Sequence, residues 1–234
     1  MKSFLMIGQS NMAGRGHFDG FVQKINPACY MLRMGNWRPL REPANPDRPV
    51  LNQEFHSGVS MATDFADTMQ QYLKEEIGVI PCADGGTRLC QWMPGEILYD
   101  HAVMMTGLAK RTSEFTGIIW HQGESDCEAL NDSEYRKNLP AMLTALRKDL
   151  GDSVLPLVLG EISPKIDPVR WKITAEAVQR MNQIIRETAE LLPNCAVVKT
   201  DDLEIQDDGI HFSAAAQEIL GKRYAEKMIN LLSQ

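Results

Sequence analysis

Five short apolar runs, each ending in a polar, glycine-rich or loop segment and separated from the next by a stretch with helical spacing, most constrain what this chain folds into. They are Lys2 to Ile7, Ile77 to Pro81, Thr116 to Trp120, Val154 to Leu159 and Cys195 to Lys199. The first, Phe4-Leu5-Met6-Ile7, does not alternate, as expected of a strand buried on both faces. Between the runs the period changes. Ala62, Phe65, Ala66, Met69 and Leu73 predict a helix over 59–73, with Ser57 or Ser60 as its cap. Val178, Met181, Ile185, Ala189 and Leu192 predict another over 171–192. Further helices are expected from Asn11, over 98–111, over 133–150 with Pro140 either kinking it or starting a second helix, and from Ser213 to about Leu232. Strand and helix therefore alternate five times. The expected class is α/β, a five-stranded parallel sheet with helices on both faces. No repeat, low-complexity tract or linker divides the 234 residues, so 1–234 reads as a single domain.

One segment does not fit the alternation. Pro39, Pro43, Pro46 and Pro49 forbid a helix between Asn26 and Asn52. Cys29 to Met34 and Trp37 to Leu40 are able to pair around Gly35-Asn36. A loop of that length in a compact domain is usually functional or mobile, and it reads as one wall of a cleft.

Composition bounds the partners. A net charge of −7, with basic residues scattered, argues against nucleic acid and acidic membrane surfaces. Five cysteines without CxxC spacing suggest neither a disulfide framework nor a zinc knuckle, and reduced thiols fit a cytoplasmic protein. The apolar N-terminus is too short for a signal segment, and no stretch approaches the roughly 18 apolar residues of a membrane span.

In an open parallel sheet, ligands bind outside the carboxyl ends of the strands. Ser10 follows the first run, Gly85-Gly86 the second, Gln122-Gly123-Glu124 the third, and Asp208 with His211 lies beyond the fifth. At a strand-to-helix turn Ser10 either caps the helix or acts as a nucleophile. A serine nucleophile needs a histidine base oriented by a carboxylate, and Asp208-Gly209-Ile210-His211 supplies both on one loop, if it is more than a polar turn before a helix. His17, His56 and His101 lie in loops or on a helix, where solvation is the simpler explanation. Acyl transfer also needs donors aimed at an oxyanion. The N–H groups of Ser10 and Gly86 and the Gln122 amide are candidates, although Gly85-Gly86 also suits a tight turn and Gln122 a surface amide. Glu124 is an alternative carboxylate behind His211, or a support for the loop. There is no HExxH, and His121 with Glu124 offers only two metal ligands. Gly14-Arg15-Gly16 lacks the Lys-Ser/Thr of a P-loop, no GxGxxG follows the first run, and Met12 stands where a GxSxG elbow has its second glycine. No metal or cofactor is expected.

Four motifs carry a resemblance: Gly8-Gln9-Ser10-Asn11-Met12-Ala13-Gly14, Gly85-Gly86-Thr87 with Trp92, Trp120-His121-Gln122-Gly123-Glu124-Ser125-Asp126, and Asp208-Gly209-Ile210-His211-Phe212. With them the chain resembles the SGNH (GDSL-like) hydrolases, and within them the sialate O-acetylesterase and acetylxylan esterase-like group, carbohydrate esterase family 6. The resemblance implies a flavodoxin-like three-layer α/β/α fold and metal-free hydrolysis of an O-acetylated carbohydrate, small or oligomeric, through an acetyl-serine. It gives Ser10 the nucleophile role, His211 the base and Asp208 the acid, with Ser10, Gly86 and Gln122 as oxyanion donors. Some members use a Glu as the acid, which keeps Glu124 open. Relatives commonly have Tyr at His121 and a smaller residue at Arg88, so acceptor preference does not carry over. Arg15, Arg88, Trp92 and the loop 26–52 are candidates for the sugar side. The alternatives are a thioesterase or lysophospholipase of the same superfamily acting on longer acyl chains, and a protein that binds acetylated sugars without turnover.

Overall fold

The computed structural model describes residues 1–46, 56–128 and 131–234. Its strands are β1 (Lys2–Gly8), β2 (Cys29–Arg33), β3 (Asn36–Pro39), β4 (Ile77–Pro81), β5 (Glu114–His121), β6 (Leu157–Gly160) and β7 (Cys195–Val198). The helices are α1 (Ser10–Ala13), α2 (Ala62–Leu73), α3 (Ile97–Ala109), α4 (Glu124–Glu128), α5 (Asp132–Asp149), α6 (Pro168–Trp171), α7 (Ala175–Leu191) and α8 (Ala214–Leu232), with a short 3-10 turn at Leu89–Trp92.

β1 lies inside the sheet, parallel to β4 on one side and β5 on the other, with Leu5 opposite both Ile80 and Ile118. β6 and β7 continue beyond β5 in parallel. The five expected strands thus take the order β4-β1-β5-β6-β7, in which the chain starts inside, steps one way, then returns past its start. That is the flavodoxin-like order, and its switch point falls between β1 and β5.

Among the described residues the sheet has seven strands rather than five. The extra two come from the proline-rich segment. β2 and β3 pair antiparallel across Gly35-Asn36, with Leu32 opposite Trp37, and β2 joins β4 in parallel, with Met31 opposite Val79. Burial explains the placement, since Cys29 and Met31 reach the core beside Val79 and Ile77 and the hairpin gains more as a sheet edge than as a free loop. Asn45 then ties the segment down, donating to Ala83 O at 3.2 Å and accepting from Ala83 N–H at 3.1 Å. The part of the expected cleft wall from 47 to 52 lies outside the described residues.

The missing alternation in β1 has a simple cause. Leu5 and Ile7 enter one apolar layer with Leu98, Leu139, Leu143 and Ile185 of α3, α5 and α7, while Phe4 and Met6 enter another with Phe65, Met69, Leu220 and Met228 of α2 and α8. Each such side chain contributes about 1.5–3 kcal/mol when fully buried. α5 runs through Pro140 as one helix. The helix expected over 171–192 divides instead, because Lys172 turns left-handed (φ +55°) after α6 and Thr174 caps a new start, accepting from Ala177 N–H at 3.2 Å. Ser213 caps α8 as expected, through Ala216 N–H. Among the described residues no helix is long and apolar enough to cross a membrane.

Candidate active site

Ser10 is placed by the way β1 and β5 end together. A Cβ on Gly8 would lie 2.1 Å from His121 O, and the residue has φ +139°, so glycine alone lets the two strands finish side by side. Gln9 N–H donates to His121 O, and Gln9 O accepts from Met12 and Ala13 N–H, which turns the chain into the single turn of α1. Gln9, not Ser10, is the cap residue. Ser10 Oγ has no hydrogen bond among the described residues, so the capping alternative is not the one adopted. With only one turn, α1 contributes peptide N–H groups here rather than a sizeable macrodipole.

His211 is positioned by its own loop. Its Nδ1 lies 2.7 Å from Asp208 Oδ2, while Asp208 Oδ1 accepts the backbone N–H groups of Ile210 and His211, each at 3.0 Å. Gln206 adds a donor to Asp208 Oδ2 at 3.1 Å. Burial opposes charge on Asp208, but these donors outweigh it and hold the carboxyl well below the usual carboxylate range. An ionised partner at Nδ1 fixes the proton there and leaves Nε2 as the basic nitrogen. In this state no hydrogen bond joins Ser10 Oγ to His211 among the described residues, yet the two side chains line the same cavity. Such contacts commonly tighten only around substrate.

Asn11, to which sequence reasoning gave no role, joins the two segments. Its Nδ2 donates to Glu124 Oε1 at 2.7 Å and to Ile210 O at 3.3 Å, and its Oδ1 accepts from Phe212 N–H at 3.1 Å. Gln217 Nε2 of α8 donates to Asn11 O at 2.9 Å. The signal available was its place in the polar run Gln9-Ser10-Asn11 of the first motif, between the apolar residues of the first run and Met12-Ala13.

Glu124 is buried and lines the cavity, but Asp208 is the carboxylate at His211 Nδ1. Burial pushes the Glu124 carboxyl up, against the Asn11 hydrogen bond. The Gln122 amide is turned away from the cavity: fully buried, it donates to Asp126 Oδ2 at 2.6 Å, Thr87 O at 2.9 Å and Gln9 Oε1 at 3.2 Å. Asp126 also accepts Leu89 N–H at 2.8 Å, so Gln122 and Asp126 together pin the segment that carries Gly86. Gly86 lines the cavity at φ +72°, and neither its N–H nor that of Ser10 has an acceptor among the described residues.

Of the residues expected on the sugar side, Arg15 lines the cavity. Trp92 does not: it is buried, packs edge-on against Trp120 and donates from its indole to Thr87 Oγ1, bracing the Gly86 turn from below. Arg88 is exposed and does not line the cavity, and neither do the described residues 26–46, of which β2 and β3 form the sheet edge instead. The cavity, about 200 Å³, gains an apolar side that the sequence did not reveal, formed by Trp171, Ile173 and Ile210. The Trp171 indole N–H donates to Asp208 O at 2.8 Å. His121, weighed as a metal ligand, is fully buried, with Nδ1 2.9 Å from Tyr224 OH.

The chain is similar to known proteins over nearly its whole length. The family model described as carbohydrate esterase, sialic acid-specific acetylesterase, matches residues 1–230. A probable carbohydrate esterase of Arabidopsis thaliana is 29% identical over 250 residues, covering 97% of this chain and 90% of its own length. The crystal structure of an Arabidopsis thaliana protein superposes with a TM-score of 0.84 at 27% identity, covering 98% of each chain. NanS superposes at 0.77 with 18% identity, covering 99% of this chain and 97% of its own. At 18% identity, the latter likeness concerns the fold.

Proposed function

This chain belongs to the carbohydrate esterase, sialic acid-specific acetylesterase family, and on that premise we propose that it removes O-acetyl groups from sugars with Ser10 as nucleophile. The observation that carries the reading is Asp208-held His211 sharing one cavity with a Ser10 hydroxyl that has no hydrogen bond among the described residues.

His211 Nε2 takes the Ser10 proton as Oγ bonds to the acetyl carbon, and the carbonyl oxygen becomes an oxyanion facing the N–H groups of Ser10 and Gly86. Collapse breaks the bond to the sugar oxygen, which receives the proton from His211, and acetyl-Ser10 remains. Water then gives a proton to His211 and attacks the acetyl carbon; release of acetate returns the proton to Ser10. Asp208 stays ionised throughout and stabilises the imidazolium. Gln122 acts from behind, holding the Gly86 segment, rather than as a third donor.

The test is acetate release from O-acetylated xylo-oligosaccharides and O-acetylated sialic acids by the protein and by Ser10→Ala. Turnover that falls by several orders of magnitude with an unchanged thermal transition supports the reading. Turnover that survives in Ser10→Ala rejects it.

A further inference from the structure

The cavity lining around Ser10 and His211 is mixed: Gln9, Arg15, Gly86, Glu124 and Ser125 bring polar groups, and Trp171, Ile173 and Ile210 bring apolar surface. We propose that Trp171 is the platform for the leaving group, the sugar ring, and so determines specificity on the alcohol side of the ester and not on its acyl side. The inference rests on the reading of Ser10 and His211 given above.

The chemistry assigns the sides. His211 hands its proton to the departing oxygen, so that oxygen lies within hydrogen-bond reach of Nε2. The carbonyl oxygen is drawn toward the Ser10 and Gly86 N–H groups. The sugar ring, bonded to the departing oxygen, is therefore on the His211 side, where the wall is Trp171 with Ile210. Trp171 is fixed there. Its indole N–H is committed to Asp208 O, Asp167 N–H donates to Gly209 O at 2.8 Å, and Arg170 Nη1 donates to Asp207 O at 3.0 Å. Asp167 also caps α6 through the Val169 and Arg170 N–H groups. Indole has one donor and no acceptor, so what remains for the cavity is its apolar, electron-rich surface. The C–H face of a pyranose is its natural complement; a linear acyl chain needs no such flat partner.

The experiment compares the protein with Trp171→Phe and Trp171→Ala on three substrates: an O-acetylated xylo-oligosaccharide, methyl acetate, whose leaving group has no ring, and methyl butyrate. In Trp171→Ala, kcat/KM on the acetylated sugar is expected to fall roughly tenfold further than on methyl acetate, mainly through KM, an effect of the size of one aromatic contact. Trp171→Phe, which keeps a ring but loses the indole donor, is expected to recover most of that difference. The methyl butyrate to methyl acetate ratio is expected to stay within about threefold of the parent's, because no acyl contact is removed. A rise in that ratio places the wall on the acyl side and overturns the proposal. So does an equal loss on sugar and methyl acetate in both variants, which reduces Trp171 to a prop for the Asp208 loop. If Ser10→Ala still hydrolyses methyl acetate at the parent rate, the serine mechanism falls first and this inference with it.

Discussion

Asn11 Oδ1 accepts the Phe212 N–H at 3.1 Å, a hydrogen bond between residues 201 positions apart in the chain. It fastens the residue after Ser10 to the residue after His211. The same side chain donates to Glu124 and to Ile210 O, so the ends of β1 and β5 and the loop before α8 meet on one buried amide. The distance between hydroxyl and imidazole is thus set by a neighbour of each rather than by either group.

Replacing Asn11 by Ala is expected to leave buried groups unpaired on Glu124 and Phe212, at about 1–3 kcal/mol each. Misplacement of the two segments by even about 1 Å is expected to lower kcat roughly a hundredfold. Urea unfolding and acetate release on one preparation check both. An Asn11→Ala protein with full kcat would mean the segments are aligned by other contacts.

Asp208→Asn and Glu124→Gln separate the two carboxylates that the sequence leaves open. Asp208→Asn offers His211 Nδ1 an amide and favours the wrong tautomer, so kcat is expected to drop by up to about 10⁴-fold. Glu124→Gln keeps an oxygen for Asn11 and is expected to cost less than about tenfold. The reverse ranking would move the acid role to Glu124.

Gly86→Ala forces a side chain into a left-handed position, φ +72°, at about 1–2 kcal/mol. In the proposed mechanism its N–H faces the developing oxyanion, and that donor shifts with it. A loss of kcat of roughly 10²–10³-fold with little change in KM is expected, and steady-state kinetics on an acetyl ester read it. A change confined to KM would remove Gly86 from the oxyanion site.

The five strands that alternate with helices are legible because inner strands buried on both faces leave apolar runs such as Phe4-Leu5-Met6-Ile7 with no alternation to confuse them. The pairing of Asp208 with His211 was legible because it is local in sequence. What stayed hidden depended on distant partners. The hairpin around Gly35 could be read, but not that Met31 would lie beside Val79 and extend the sheet. By its spacing Trp171 starts a long helix, and nothing in the sequence shows that Lys172 turns left-handed and leaves the indole against Asp208. Trp92 and Gln122 carry the right chemistry for a site but are held beneath it by Thr87 and Asp126, contacts that local pattern does not encode.

His121 gives the chain a dependence on pH that is separable from catalysis. The Tyr224 hydroxyl donates to Trp120 O at 2.9 Å, so it accepts from His121 Nδ1–H, and the ring is neutral with Nε2 buried and unpartnered among the described residues. Burial lowers its pKa from the ordinary 6.5 to about 3. Below about pH 6.5 the unfolded chain binds a proton on this ring, and the native state does not until pH approaches 3. The stability this residue provides is therefore complete above about pH 6.5 and declines as pH falls, by about 1.4 kcal/mol per unit. His121→Phe removes the titrating group and keeps an aromatic ring beside Phe212, so its stability is expected to fall less steeply in acid. Between pH 7.5 and 4.5 the parent is expected to lose roughly 2–3 kcal/mol more than His121→Phe, measured by urea unfolding at both pH values. Parallel loss in the two proteins would assign the acid sensitivity to other buried groups.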